Sequence, residues 1–123
     1  FTSLGCVACH QGINVGGNMY QRFGVMERNF LQEDSTYSKG EHLGRFNITG
    51  RTRDRNVFKV PSLRNIAETA PYFHDGSAAN LETAVLTMAR VQLGVILSED
   101  DLTKIIAFLK SLSGHLIGEP VSP

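Results

Sequence analysis

The chain has no tryptophan and only two cysteines in 123 residues. It also has no charge excess, since Lys plus Arg and Asp plus Glu both number 12. That balance removes the usual support for nucleic-acid binding or for a basic membrane-facing surface. No apolar run approaches the roughly 18 residues of a membrane-spanning helix. A third cysteine is missing, so a closed zinc site, which usually takes four ligands with a second pair at similar spacing, is disfavoured. A βαβ pattern is missing as well, which weighs against a thioredoxin-like use of the cysteine pair. The length fits one domain over residues 1–123 with a single core. The chain begins at Phe1 without an initiator Met or a signal peptide, so a mature, processed or excised piece is the expectation.

What is present centres on Cys6-Val7-Ala8-Cys9-His10. Two cysteines three positions apart, followed directly by histidine, read as a c-type haem attachment site. Each thiol can add to one haem vinyl group, and the next residue can then offer an axial nitrogen to the iron. Half a zinc site, a redox pair and coincidence are the rival readings. On the haem reading both cysteines are consumed and none remains for a disulfide. With no tryptophan, no indole can bridge electrons within the chain.

Along the chain, Thr2-Ser3-Leu4 leave room for only the last turn of a helix ahead of Cys6. Gly12, Gly16, Gly17 and Gly24 suit a loop closing on a flat ligand, where a Cβ would obstruct the backbone. An ordinary flexible loop is the competing reading. Met19 and Met26 in this loop are iron-ligand candidates, although packing is the commoner use. Residues 28–55 are polar, with a basic run at Arg45, Arg51, Arg53 and Arg55. Such a run can meet propionates or an acidic partner, but more often it is only a soluble face. His42 reads as a surface residue.

From Val57 to Asn65 the sequence predicts an extended entry, then a turn or short helix continuing from Ile66 to Ala70. Arg64 is a candidate propionate donor, because a guanidinium forks onto a carboxylate. His74 has three open readings: an iron ligand, a partner for a propionate, or a hydrogen-bonded core histidine. Asn80 is placed to cap a helix over Leu81–Ala89, with Leu81, Val85 and Met88 on one stripe. Met88 is either a core residue on that stripe or a thioether ligand. Ser98-Glu99-Asp100-Asp101 opens the last helix, which buries Leu102, Ile105, Ile106, Leu109 and Leu112 and stops at Gly114. The tail from His115 to Pro123 is expected to cross a surface.

Three groups of residues together carry a family likeness. They are Gly5 to His10; Phe58-Lys59-Val60-Pro61-Ser62-Leu63-Arg64-Asn65 leading to Thr69-Ala70-Pro71-Tyr72-Phe73-His74-Asp75-Gly76; and Ala84 to Met88 with Gln92-Leu93-Gly94. The chain resembles the C-terminal, electron-accepting haem domain of bacterial di-haem cytochrome c peroxidases. The resemblance implies an all-α, cytochrome-c-like fold, with about four short helices and long loops around one covalent haem c. It implies His10 and Met88 as the iron ligands, with Cys6 and Cys9 as the attachment points. Arg64 and His74 are the residues expected to support the haem. Relatives that mature methylamine dehydrogenase carry tyrosine at the position of Met88, so methionine favours the peroxidase type.

The resemblance further implies calcium at a domain interface, held in part by the carbonyls of Thr69 and Pro71 and in part by the absent domain. Other implied partners are a small donor of the cytochrome c or cupredoxin type, the N-terminal peroxidatic haem domain, and a second copy of the parent enzyme. The implied location is the bacterial periplasm, where haem attachment of this type follows export. The chain has one Cys-x-x-Cys-His rather than two. It is therefore expected to move electrons without reducing peroxide by itself. A stand-alone mono-haem carrier and an open-site haem enzyme are the alternatives. If the domain is half of a larger enzyme, exposed surface is expected around Thr69 to Gly76 and Pro120 to Pro123.

Overall fold

The structure is a computed structural model and describes residues 1–27 and 42–114. The expected surface course of the tail and of Pro120 to Pro123 lies outside these residues, as does the part of the polar stretch before His42, residues 28–41.

Three α-helices carry most of the regular structure: α1 (Phe46–Thr49), α2 (Leu81–Met88) and α3 (Glu99–Ser111). Single 3-10 turns stand at Cys6–Ala8, Thr52–Asp54 and Ile66–Glu68. α3 forms where the sequence predicts it. The Ser98 hydroxyl accepts the Asp101 backbone N–H at 3.1 Å, satisfying one of the first-turn donors. Three carboxylates in that first turn oppose the positive end of the helix dipole. Ile105, Ile106 and Leu109 are its buried stripe. In α2 the Asn80 side chain accepts the Thr83 N–H at 2.8 Å, the cap expected of it.

α2 departs from expectation at its far end. The α-helical pattern runs to Met88 and then widens into a π-helical turn over Ala89–Leu93, closed by Gly94 in the left-handed region. The Gln92 side chain ties this turn to a distant loop: its Oε1 accepts from Gly24 N at 2.6 Å and Val25 N at 3.3 Å, and its Nε2 donates to the Arg22 carbonyl at 3.1 Å. Such tertiary bonds outweigh the small preference for α over π geometry and favour the wider turn. The expected Ile66–Ala70 helix is shorter, stopping after one turn at Glu68.

The all-α expectation needs one correction. Tyr20–Arg22 (β1) pairs antiparallel with Val57–Lys59 (β2), with Gln21 opposite Phe58. β2 falls in the stretch read as extended, but β1 falls in the stretch read as a loop. Three residues are too few to display a period-2 pattern, and the partner lies far away in sequence. The fold is mainly helical with this ribbon added.

The core is split. Leu63, Ile105 and Leu109 form one cluster, joined by Phe1, Leu4, Val15, Leu81 and Val85. Tyr72, Ala78 and Ala84 form another, sharing Ile66 and Leu81 with the first. A cavity lies among these elements.

Candidate functional site

The cavity measures about 550 Å³, within the roughly 300–1,000 Å³ of small-molecule and cofactor sites. Cys6, Cys9, His10 and Met88 all line it, along with Phe58 and His74. Among the described residues no Asp or Glu lines it. Most of its walls are apolar side chains from α2, α3 and the turn before Cys6, which is the lining a flat apolar ring requires, and Gln21, Arg22, Lys59 and Gln92 also border it.

The cysteine segment owes its shape to backbone bonds. Gly5 takes a left-handed φ of 93° ahead of the 3-10 turn, and the His10 N–H reaches the Cys6 carbonyl at 3.0 Å. Cys6 and Cys9 are free thiols. Burial raises the Cys6 thiol above its usual range, opposed by the positive N-terminus and a backbone hydrogen bond. Gln21 extends its amide to 3.9 Å from the Cys9 sulfur.

His10 Nδ1 is buried and has no hydrogen-bond partner among the described residues. Burial holds the imidazole below the usual histidine range, with the Val15 and Pro61 carbonyls opposing. The neutral imidazole is the form that binds metals. Gly16 shows how tightly this corner is built. A Cβ there would stand 2.1 Å from the Pro61 oxygen and 3.2 Å from His10 Nδ1, and its φ of 126° is one that side-chain-bearing residues rarely adopt. The glycine-rich loop thus does bring backbone close, but to a carbonyl and an imidazole of the protein itself.

This loop is itself laced to residues 60–64. Gly17 N–H bonds the Val60 carbonyl at 3.0 Å, Leu63 N–H bonds Val15 at 3.2 Å, and the Ser62 hydroxyl donates to Asn14 at 2.7 Å. Arg64 belongs to this lacing. Its Nε and one terminal nitrogen both donate to the Ile13 carbonyl, at 3.0 and 2.8 Å. It does not line the cavity. The structure therefore places Arg64 as a fastener of the loop, not beside Cys6, Cys9, His10 and Met88.

His74 borders the cavity and stacks on Phe58, with ring centroids 4.2 Å apart. Burial lowers its pKa, with Asp75 opposing and His42 reinforcing. His42 is exposed, as expected, and meets His74 edge to face at 5.8 Å. Met19 and Met26 do not line the cavity, and Met26 packs on Gly94. Thr69 and Pro71 border the cavity and are exposed. Among the described residues no group of three His, Cys, Asp or Glu is placed to hold a metal ion. Gln92 and Gln21 were given no role from the sequence. An isolated glutamine carries no spacing signal, and their value lies in contacts far apart along the chain.

A small, mainly helical domain that gathers Cys-x-x-Cys-His and a methionine around one apolar cavity has the make-up of a c-type cytochrome domain. No family model matches the chain. Its sequence is 51% identical over 114 residues to cytochrome c551 peroxidase of Nitrosomonas europaea, covering 93% of this chain and 32% of that protein. It is 45% identical to cytochrome c551 peroxidase of Pseudomonas aeruginosa, with the same coverage of both chains. Among solved structures it is similar to a MauG-like protein associated with microbial copper homeostasis, with a TM-score of 0.67 and 25% identity, over 91% of this chain and 43% of that one. Nearly the whole chain thus matches cytochrome c551 peroxidases, and it spans about a third of the length of these curated relatives.

Proposed function

We propose that this chain is the electron-transfer domain of a two-haem cytochrome c peroxidase, carrying one haem c through Cys6 and Cys9 with His10 and Met88 as axial ligands. The observation that carries the reading is the meeting of these four residues on one apolar cavity. The residues fit the group: two free thiols at the attachment spacing, an imidazole whose pKa burial lowers, a thioether, and, among the described residues, no lining carboxylate. When bound, the haem supplies a one-electron couple, and a His/Met ligand pair favours a high potential.

The protein's part is to hold and shield. Pro61 offers a carbonyl near His10 Nδ1, which suits a hydrogen bond that fixes the tautomer and leaves Nε2 for the metal. Gly16 keeps that corner clear. Met88 sits at the last α-helical position of α2, where the Gln92 bonds anchor the turn that follows. The apolar walls exclude water and disfavour added positive charge. His74, stacked on Phe58, is the proposed partner for a propionate. No proton transfer is assigned to any side chain.

Calcium at the Thr69 and Pro71 carbonyls is part of the same reading. Two carbonyls do not complete a site, so the remaining ligands are assigned to the rest of the parent enzyme. The periplasm, a small donor protein and the peroxidatic haem domain are likewise proposed from the relatives. No helix among the described residues is long and apolar enough to cross a membrane. The test is peroxide turnover by the haem-loaded chain with a reduced donor. The reading predicts negligible turnover beside an intact two-haem enzyme. Comparable turnover contradicts it and moves the open-site enzyme to first place.

A further inference from the structure

The stretch that leaves β1 runs along the π turn almost residue by residue. The Arg22 carbonyl accepts from Gln92 Nε2 at 3.1 Å, and the Gly24 and Val25 N–H groups both donate to Gln92 Oε1, at 2.6 and 3.3 Å. The Met26 N–H donates to the Val91 carbonyl at 2.9 Å. Met26 lays its side chain on Gly94, and the Glu27 carboxylate lies 3.1 Å from Arg90. Both partners of that ion pair are well exposed, so it adds little. The hydrogen bonds are the stronger part, and most of them belong to Gln92.

These bonds serve groups that the π turn and the loop would otherwise leave short of partners. Val91 is 0% exposed, and its carbonyl receives the Met26 N–H. The turn's own closing bonds go to its neighbours: Gly94 N–H reaches the Arg90 carbonyl and Val95 N–H the Ala89 carbonyl, both at 3.0 Å. Gly24 is buried, and the Gln92 oxygen meets its N–H. A buried backbone group without a partner is costly, so one side-chain amide holds two distant backbone segments together.

The place of this amide matters. Met88 and Gln92 are four residues apart and both line the cavity, so they stand about one helical turn apart on its wall. At the other end of the strap, Gln21 comes to 3.9 Å from the Cys9 sulfur. Residues 21–26 thus join the Cys9 segment to the turn that continues from Met88. The end of a short helix frays unless contacts from elsewhere in the fold hold it.

We propose that Gln92 is a positioning residue for Met88. It fastens the turn after Met88 to residues 22–25, keeps the thioether in reach of the group attached at Cys6 and Cys9, and so closes that position to outside ligands. The proposal rests on the His10/Met88 reading above. Gln92 touches no iron and moves no proton; it acts through Met88, as residues behind a metal ligand do.

The experiment is a titration of the ferric haem-loaded chain with imidazole, which competes with Met88. The far-red sulfur-to-iron band, the midpoint potential and Tm are recorded for every sample. Imidazole binds the fraction of molecules in which Met88 is detached, so its apparent affinity reads that fraction. Gln92→Leu removes the amide and keeps similar bulk. It should tighten imidazole binding about tenfold or more, weaken the far-red band and lower the midpoint potential. Gln92→Glu keeps the accepting oxygen and loses the donor to Arg22, and should tighten imidazole about threefold. Asn80→Ala removes the cap at the opposite end of α2. It should lower Tm and leave imidazole affinity within about twofold of wild type.

An unchanged imidazole affinity in Gln92→Leu overturns the proposal. So does an equal gain of affinity in Asn80→Ala, which would make Gln92 one more contributor to general stability. If Gln92→Leu takes up no haem, Gln92→Glu decides, and wild-type affinity there overturns the proposal. A wild-type ferric chain without the far-red band contradicts the His10/Met88 reading itself, and this proposal falls with it. A wild-type chain with the band beside an unaffected Gln92→Leu leaves that reading standing and removes only the role of Gln92.

Discussion

The segment that carries His10 and the segment that carries Met88 reach the same cavity by different physical means. Around His10 there is almost no regular structure. A 3-10 turn, left-handed residues at Gly5, Gly12, Val15, Gly16 and Gly17, and a lacing of backbone bonds to residues 60–64 fix the chain. Around Met88 the positioning is helical: a capped α2 packed against a capped α3. The first arrangement tolerates little change of backbone. The second distributes its strength over many apolar contacts, each replaceable at modest cost. A loop-built segment and a helix-borne one place these different demands on sequence.

The comparison can be broken most sharply at Gly16. Gly16→Ala adds a Cβ 2.1 Å from the Pro61 oxygen at a strained φ. It should cost on the order of 3 kcal/mol and shift the haem spectrum through His10. Denaturant unfolding and absorption check it, and a variant of wild-type stability and spectrum would show that the corner is slack. Leu109→Ala, at a side chain 3% exposed in the α3 stripe, should cost about 2–5 kcal/mol. The ligand set should survive at low temperature, which separates helical support from site geometry. Ser98→Ala removes a cap and should cost about 1 kcal/mol, read as a small fall in Tm with an unchanged spectrum. Gly50→Ala is the mildest. Its φ is 64° but nothing lies within 4 Å, so only the left-handed penalty of about 1 kcal/mol or slightly more applies.

The same contrast governs what the sequence reveals. α3 was legible because its cap, its acidic first turn and its apolar stripe all agree. The Cys-x-x-Cys-His group was legible because its chemistry demands that spacing. The ribbon was not, since Tyr20–Arg22 is too short to show alternation and pairs with residues far along the chain. Arg64 was legible as a forked donor, but not for its acceptor. A guanidinium suits a carboxylate and a backbone carbonyl alike, and only the fold brings Ile13 beneath it. The π turn after Met88 was hidden for a related reason, because it accompanies contacts of Gln92 to residues nearly 70 positions away. Periodicity and motif show local choices, whereas a single tertiary hydrogen bond leaves no trace in either.

The central claim is that one iron is held between His10 and Met88. The most direct measurement is the absorption spectrum of the haem-loaded chain, oxidised and reduced, beside that of Met88→Ala. The account predicts the weak far-red sulfur-to-iron band in the ferric wild-type protein and its loss in the variant. A high-spin ferric spectrum without that band, unchanged by Met88→Ala, would contradict it.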